Sequence, residues 1–173
     1  EIIKGGKTFY WKGKYHQNMI GRDTLSTELN VLEKFNPIIN SEFSSSEIIL
    51  LGNLHPFVQN TVINQCSNPN RFIILDTMNF WMDNALNELK DVVEKVDLII
   101  INDEEAQQLT NESNIFNAGN KILKMGPKKV IIKKGEHGSI YLDSFHKYIL
   151  PAFPVDSLVD PTGAGDSYAG GIA

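Results

Sequence analysis

Three short apolar runs, each followed within two residues by a polar residue and then by a stretch with helical spacing, constrain the fold of this chain most. The runs cover residues 48–51, 72–75 and 98–101. A strand that is apolar at every position needs burial on both of its faces. Repeated strand–helix units therefore predict an α/β protein in which helices flank a mainly parallel sheet on both faces.

The stretches between these runs predict amphipathic helices. Pro56 can open a helix over 56–66, because the first helical position needs no backbone N–H donor. A second helix is predicted over 80–93, since Met82, Leu86, Leu89 and Val93 recur at three- and four-residue spacing. A short helix containing Glu104 and Glu105 and another over 115–125 precede strands predicted at 129–133, 139–142 and 146–150.

The first part of the chain follows a different pattern. Residues 7–15 and 23–35 alternate between apolar and polar positions, which is typical of half-exposed strands, and together they predict an antiparallel pair. A polar break over 40–46 follows. We therefore expect a small β-sheet with its connection over 1–39 and an α/β core over 40–173.

Polar or flexible residues stand where the predicted parallel strands end. They are Asn53, Asp76, Asn79, Asn102 and Gly135. Ligands of open parallel sheets bind beyond the carboxyl ends of the strands, so Asn53 and Asn79 are candidate substrate-binding residues. The alternative is that these are ordinary turn residues.

The segment 159–171 carries the most specific chemistry. Gly163, Ala164 and Gly165 allow close approach of a ligand to the backbone and lead into a helix start, where N–H groups lack partners and attract anions. Asp166 at the same helix start can accept a proton from a substrate hydroxyl while those N–H groups hold a phosphoryl group. The alternative is that Asp166 only caps the helix.

The segment 160–166, Asp-Pro-Thr-Gly-Ala-Gly-Asp, resembles the C-terminal signature of the ribokinase-like (PfkB) carbohydrate kinases. Members of that family transfer the γ-phosphoryl group of ATP to a hydroxyl of a sugar or a nucleoside. The resemblance implies that Asp166 is the catalytic base and that the backbone of Gly163, Ala164 and Gly165 forms the anion hole.

Two further segments occur in the order that the family requires. Residues 102–105 resemble its N-x-x-E motif, which implies that Asn102 and Glu105 organise Mg²⁺ and phosphate; the alternative is a helix cap. Residues 133–138 resemble the strand and glycine turn of the nucleotide cleft, which implies ATP contacts for Lys134, Gly135 and Gly138, although Lys134 could simply lie in solvent.

The resemblance also implies that Asp160 and Thr162 lie where some members bind a monovalent cation such as K⁺. The small β-sheet corresponds to a lid over the sugar, through which members often form homodimers. The expected activity is that of a sugar kinase. A nucleoside kinase, which would need an aromatic slot for the base, and an inactive sugar-binding relative are the alternatives.

The order of the motifs predicts an internal fragment of such a kinase, truncated at both ends. Family members place a glycine-rich sugar-binding segment before the lid and adenine-covering helices after the signature. We expect that the 173 residues alone show little kinase activity.

Composition limits the other classes of function. A net charge of −5 without a basic block argues against nucleic acid or an anionic membrane as the main partner. One cysteine, Cys66, cannot form an intramolecular disulfide, so we expect a cytoplasmic protein. No apolar run approaches the roughly 20 residues of a membrane span, and no P-loop motif is present.

Overall fold

The computed structural model describes residues 2–16 and 22–173. Two sheets are present in this part of the chain. The small sheet pairs β1 (Tyr10–Tyr15) with β2 (Arg22–Glu28) in antiparallel orientation. The large sheet has six strands in the order β3-β4-β5-β6-β7-β8. Its strands are β3 (Ile48–Leu51), β4 (Phe72–Asp76), β5 (Leu98–Asn102), β6 (Lys129–Lys133), β7 (Ser139–Asp143) and β8 (Lys147–Leu150).

The first four strands of the large sheet are parallel, and β7 and β8 are antiparallel to their neighbours. This confirms the mainly parallel α/β sheet that the sequence predicts. The helices are α1 (Ser41–Ser44), α2 (Pro56–Gln65), α3 (Asn79–Asn84), α4 (Leu86–Val93), α5 (Asp103–Thr110), α6 (Ile115–Leu123) and α7 (Ala164–Ile172). None of the helices within 2–16 and 22–173 is long and apolar enough to cross a bilayer.

The two faces of the large sheet are covered unequally. One face packs against α2 to α6, and strand residues such as Leu75, Ile99 and Ile132 are fully buried there. On the opposite face a smaller cluster joins Ile100 and Ile131 to Ala169 of α7. Toward β3 this second face is open, since Ile48 and Leu50 are 50% and 39% exposed. Helix α7 is therefore the main cover of the second face among the described residues.

The predicted strand over 23–35 is wrong beyond Glu28. The chain turns at Asn30, whose φ of 51° lies in the left-handed region, and continues as a 3-10 helix (Asn30–Lys34). Asn tolerates this conformation better than most residues. Its side-chain amide holds the turn by donating to the carbonyl oxygen of Thr8 at 2.9 Å.

The predicted helix over 80–93 is interrupted. Ala85 has φ −149° and ψ 43°, so α3 ends before it and α4 begins after it. Ala85 is itself buried, whereas Leu86, which the helical spacing assigned to the apolar face, is 36% exposed. Because of this break, the apolar residues of α3 and α4 do not form one continuous apolar face.

Asp97 links three segments at the amino ends of the parallel strands. Its carboxylate accepts from the backbone N–H of Ile73 at 3.0 Å and from Nζ of Lys128 at 2.7 Å. Burial alone would raise the pKa of Asp97, but these hydrogen bonds outweigh it and lower the pKa below its usual value.

We expect the Asp97 carboxylate to make the fold more sensitive to acid. Because its pKa is lower in the folded state, its contribution to stability is present above the unfolded pKa and is lost as the pH falls through the folded pKa. Denaturant unfolding of the wild type from about pH 6 to about pH 3 should show this loss, and Asp97→Asn should reduce it. The exposed Asp91→Asn is the control, and an unchanged pH dependence in Asp97→Asn would contradict the assignment.

Candidate active site

The carboxyl ends of β4, β5 and β6 bring three polar side chains to one edge of the large sheet. Asp76 ends β4, Asn102 ends β5 and Lys133 ends β6. Asn102 and Lys133 are partners in the strand register, and Asp76 pairs with Ile100. Because side chains alternate between faces, Asp76, Ile100, Ile131 and Lys133 point to the face that α7 covers.

An ion pair joins β4 and β6 across the intervening strand. Nζ of Lys133 lies 3.1 Å from Oδ1 of Asp76, and the two side chains are 19% and 9% exposed. Burial raises the pKa of Asp76, the Lys133 ammonium opposes this rise, and the negative charge of Asp166 adds to it. The carboxylates of Asp76 and Asp166 are therefore close enough to interact electrostatically.

The start of α7 lies over this ion pair. Gly163 precedes the helix with φ 80°, and no side chain caps the helix. A Cβ atom placed on Gly165 would be 3.3 Å from Nζ of Lys133, so the ammonium lies against the first turn. Asp166 is exposed in the same turn. The site thus combines a helix start without a side-chain cap, an exposed carboxylate and a partly buried cation. Of the predicted anion-hole groups, the Ala164 N–H already donates to the carbonyl oxygen of Pro161 at 3.1 Å.

Two hydrogen bonds fix the loop before α7. Oδ1 of Asp160 accepts from the backbone N–H of Thr162 at 2.8 Å, and hydrogen bonds from Thr162 lower the pKa of Asp160. The hydroxyl oxygens of Thr162 and Tyr15 lie 2.8 Å apart. Since Tyr15 ends β1, the small sheet touches the signature loop directly.

Asn102 and Glu105 form a capping box at the start of α5. Oδ1 of Asn102 accepts from the Glu105 N–H at 2.7 Å, and Oε2 of Glu105 accepts from the Asn102 N–H at 3.0 Å. The helix-cap alternative is therefore realised, which leaves a role in Mg²⁺ binding as a prediction. The described parts of the chain contain no cluster of three or more His, Cys, Asp or Glu side chains suited to a metal.

The turn after β6 carries the three predicted ATP contacts. Lys134 is half-buried, Gly135 begins a 3-10 turn (Gly135–His137), and Gly138 closes it. The Lys134 N–H donates to the carbonyl oxygen of Gly138 at 2.8 Å. Gly135 faces open space, whereas Gly138 lies directly against the end of β8.

The two predicted substrate-binding asparagines differ in their surroundings. The side chain of Asn53 donates to Sδ of Met78 and accepts from Nε1 of Trp81, both at 2.8 Å. It therefore ties the loop after β3 to α3. Asn79 is the exposed first residue of α3.

A pocket of about 200 Å³ lies between the segment after β2 and the carboxyl ends of β3 and β4. The rings of Phe35, His55 and Trp81 line it, with the exposed carboxylate of Glu33 beside them. The rings of His55 and Trp81 are 4.9 Å apart and tilted. Flat aromatic walls with one polar group suit a planar ligand.

Sequence reasoning missed Lys133, Tyr15 and the aromatic pocket as parts of the site. For Lys133 a signal was present, because a charged residue at the carboxyl end of a buried strand stands next to the binding edge. The contact of Tyr15 with Thr162 joins positions 147 residues apart and has no local signature.

Comparison with known proteins identifies the family of this chain. Residues 15–173 match the model of the pfkB family of carbohydrate kinases. The chain therefore belongs to this family, as the signature predicts, and the fold class is confirmed.

Three relatives illustrate the similarity. A cytidine kinase of Thermococcus kodakarensis is 27% identical over 98% of this chain and 62% of its own length. A putative ribokinase II of E. coli, solved with ATP and Mg²⁺, matches with TM-score 0.73 at 21% identity over 87% of this chain and 53% of its own. A nucleoside kinase of Burkholderia thailandensis, solved with inosine, matches with TM-score 0.73 at 16% identity. The match covers 97% of this chain and 55% of that kinase. The chain thus spans between half and two thirds of the length of these relatives.

Proposed function

We propose that this chain carries the phosphoryl-transfer centre of a kinase that moves the γ-phosphoryl group of ATP to a hydroxyl of a sugar or a nucleoside. The observation that carries the proposal is the start of α7, where Gly163 leaves the helix uncapped and Asp166 is exposed in the first turn. Family membership supports it, since the signature loop is the part of the chain that places these groups together.

In this proposal Asp166 is the general base. Its carboxylate accepts the proton of the acceptor hydroxyl while the hydroxyl oxygen bonds to the γ-phosphorus. The bond from that phosphorus to the bridging oxygen breaks, and ADP leaves with the electron pair. The N–H groups of the first turn of α7 stabilise the charge on the transferred phosphoryl group.

Mg²⁺ would neutralise the phosphates of ATP when bound. The donors near it fit a metal held mainly by phosphate oxygens and water, because both buried carboxylates at this edge are already engaged. Asp76 pairs with Lys133, and Glu105 accepts a capping hydrogen bond. Asn102 would orient Glu105 through that box. A K⁺ ion beside Asp160 and Thr162 is a further part of the proposal.

The small sheet is proposed as a lid. Its contact with the loop through Tyr15 and Thr162 supports this role. A lid that closes on the acceptor excludes water, and thereby prevents hydrolysis of the phosphoryl donor. Dimerisation through the same sheet is proposed from the family resemblance.

The aromatic pocket favours a nucleoside over a free sugar as the acceptor. Phe35, His55 and Trp81 offer the slot that a nucleobase requires, and the Glu33 carboxylate can accept a hydrogen bond from an exocyclic amino group. The cytidine kinase relative is consistent with this choice. A sugar such as ribose remains the second candidate.

A screen of the full-length protein with MgATP tests the function. We expect ADP formation with cytidine, adenosine or inosine that exceeds the rate with ribose or fructose. Turnover of free sugars alone would support the sugar-kinase alternative. ATP binding without ADP formation on any acceptor would contradict the proposal and support an inactive relative.

We expect Phe35→Ala to raise KM for the nucleoside by about tenfold, since stacking of a base on an aromatic ring contributes about 1–3 kcal/mol. The value of kcat should stay within about twofold, because the ring does not touch the reacting atoms. Phe153→Ala is the control, as Phe153 is 87% exposed and outside the pocket. An unchanged KM in Phe35→Ala would exclude this pocket as the base site.

A further inference from the structure

We propose that Lys133 is a positioning residue for the phosphoryl-transfer loop and that Asp76 holds it in place. The inference rests on the proposed function and extends it, because neither residue belongs to the signature segment. Lys133 and Asp76 lie on separate strands, 57 positions apart, and meet under the first turn of α7.

The ion pair spans the strand that lies between its two residues. Strands β4 and β6 lie on either side of β5, so about 10 Å separates them. Lys133 reaches back across β5 to Asp76 and remains four-fifths buried. The Lys133 ammonium lies against Gly165 rather than in solvent.

The charges around Lys133 explain why the ion pair affects the loop that carries Asp166. A helix start carries partial positive charge, so an ammonium beneath it is unfavourable unless anions are near. Asp76 supplies one carboxylate, and the charge of Asp166 is felt at Asp76. The cation thus offsets the repulsion between the two carboxylates, and it keeps the turn that carries Asp166 in one position.

Stability alone does not account for such a pair. Removing two charges from water costs several kcal/mol, and apolar residues of similar volume often stabilise a fold as well or better. The neighbours Ile74, Ile100 and Ile131 are apolar, so an apolar pair would fit this face. We therefore assign the ion pair the role of positioning the loop at the start of α7.

The experiment compares variants of the full-length protein in two measurements. One is kcat and KM with the acceptor found in the screen, and the other is amide hydrogen exchange of the segment 160–168. The variants are Lys133→Met, Lys133→Arg, Asp76→Asn and the double change of Lys133→Met with Asp76→Asn. Lys129→Met is the matched control, since Lys129 lies on the same strand and face at its other end.

We expect Lys133→Met to lower kcat by about 100-fold with KM within about threefold, as when a distant change misplaces a catalytic group by about 1 Å. Hydrogen exchange of 160–168 should be about tenfold faster, because the turn loses its support. Lys133→Arg should recover most of both effects. The double variant should be no worse than Lys133→Met, because both residues act through one pair.

Unchanged exchange in Lys133→Met, equal effects of Lys129→Met, or additive effects in the double variant would overturn the inference. Exchange that changes as expected in a protein that turns over no acceptor would refute the proposed function and leave the positioning role supported. The two failures are therefore distinguishable.

Discussion

Replacement of Asp166 by Asn in the full-length protein is expected to lower kcat by about 10³-fold or more. The amide cannot accept the proton of the acceptor hydroxyl, and a positioned general base contributes about 10²–10⁴-fold. Steady-state assays of ADP formation with the acceptor found in the screen measure the effect. Asp156→Asn is the matched control, because Asp156 is exposed in the loop that leads to the signature.

The fold should tolerate this change. Asp166 is exposed, and an acidic residue in the first turn of a helix contributes about 0.3–1 kcal/mol through the helix dipole. We therefore expect the free energy of unfolding of Asp166→Asn to stay within about 1 kcal/mol of the wild type. Retained turnover would remove Asp166 from the role of base, whereas a large loss of stability would make it a structural residue.

Replacement of Gly138 by Ala is expected to have the largest effect on stability. Gly138 has φ 84°, and a Cβ atom there would collide with the carbonyl oxygen of Leu150 and lie 2.8 Å from the Ala152 nitrogen. Backbone atoms cannot move aside as a flexible side chain can. We expect a loss of about 3 kcal/mol in denaturant unfolding, from left-handed strain together with steric overlap.

Gly135→Ala is the control within the same turn. Gly135 also has a positive φ, of 55°, but a Cβ atom on it meets nothing within 4 Å. Only the conformational cost of about 1–2 kcal/mol applies. Equal losses in the two variants would show that overlap with β8 does not matter at Gly138.

This pair of variants also refines the prediction that both glycines contact ATP. Gly138 is required by the approach of β8 whether or not a nucleotide binds, so its presence in the motif has a structural reason. Gly135 has no such neighbour. An ATP contact remains a prediction for both glycines, and of the two only Gly135 has open space where its Cβ atom would lie.

The large sheet was predictable from sequence because three of its four parallel strands, β3, β4 and β5, contain an unbroken apolar run of four residues. Strand β3 covers the residues predicted for it, and β4 and β5 end one residue later, at Asp76 and Asn102. Helix α2 starts at Pro56 as expected, because the ring of proline defines the first turn.

The errors occur where one residue changes the backbone direction. The chain turns at Asn30, which adopts a positive φ shortly after β2 ends, although the residues around it continue the apolar–polar alternation of a strand. Ala85 divides α3 from α4 although alanine is the best helix former. Periodicity detects long elements, but it does not detect a local conformation that the surrounding core imposes.

Six of the thirteen predicted site residues lie within the segment 160–166, so a sequence pattern alone can group them. Residues of the signature loop are close in space because they are close in the sequence. The pairing of Lys133 with Asp76 depends instead on strand order, since β4 and β6 must flank β5 before the two side chains can meet. No spacing in the sequence carries that information.

The hydrogen bond between Tyr15 and Thr162 has a consequence for how the small sheet can open. The bond is exposed and joins two neutral hydroxyls, so its net free energy is about 0.5–1.5 kcal/mol. That amount favours the bonded arrangement of the two hydroxyls over the separated one by only about 2- to 13-fold. At the other end of the small sheet, Leu29, which follows β2, packs against the main core. Opening of the bond would therefore free the Tyr15 end of the sheet while the Leu29 end stays attached, so an acceptor can enter without release of the whole sheet.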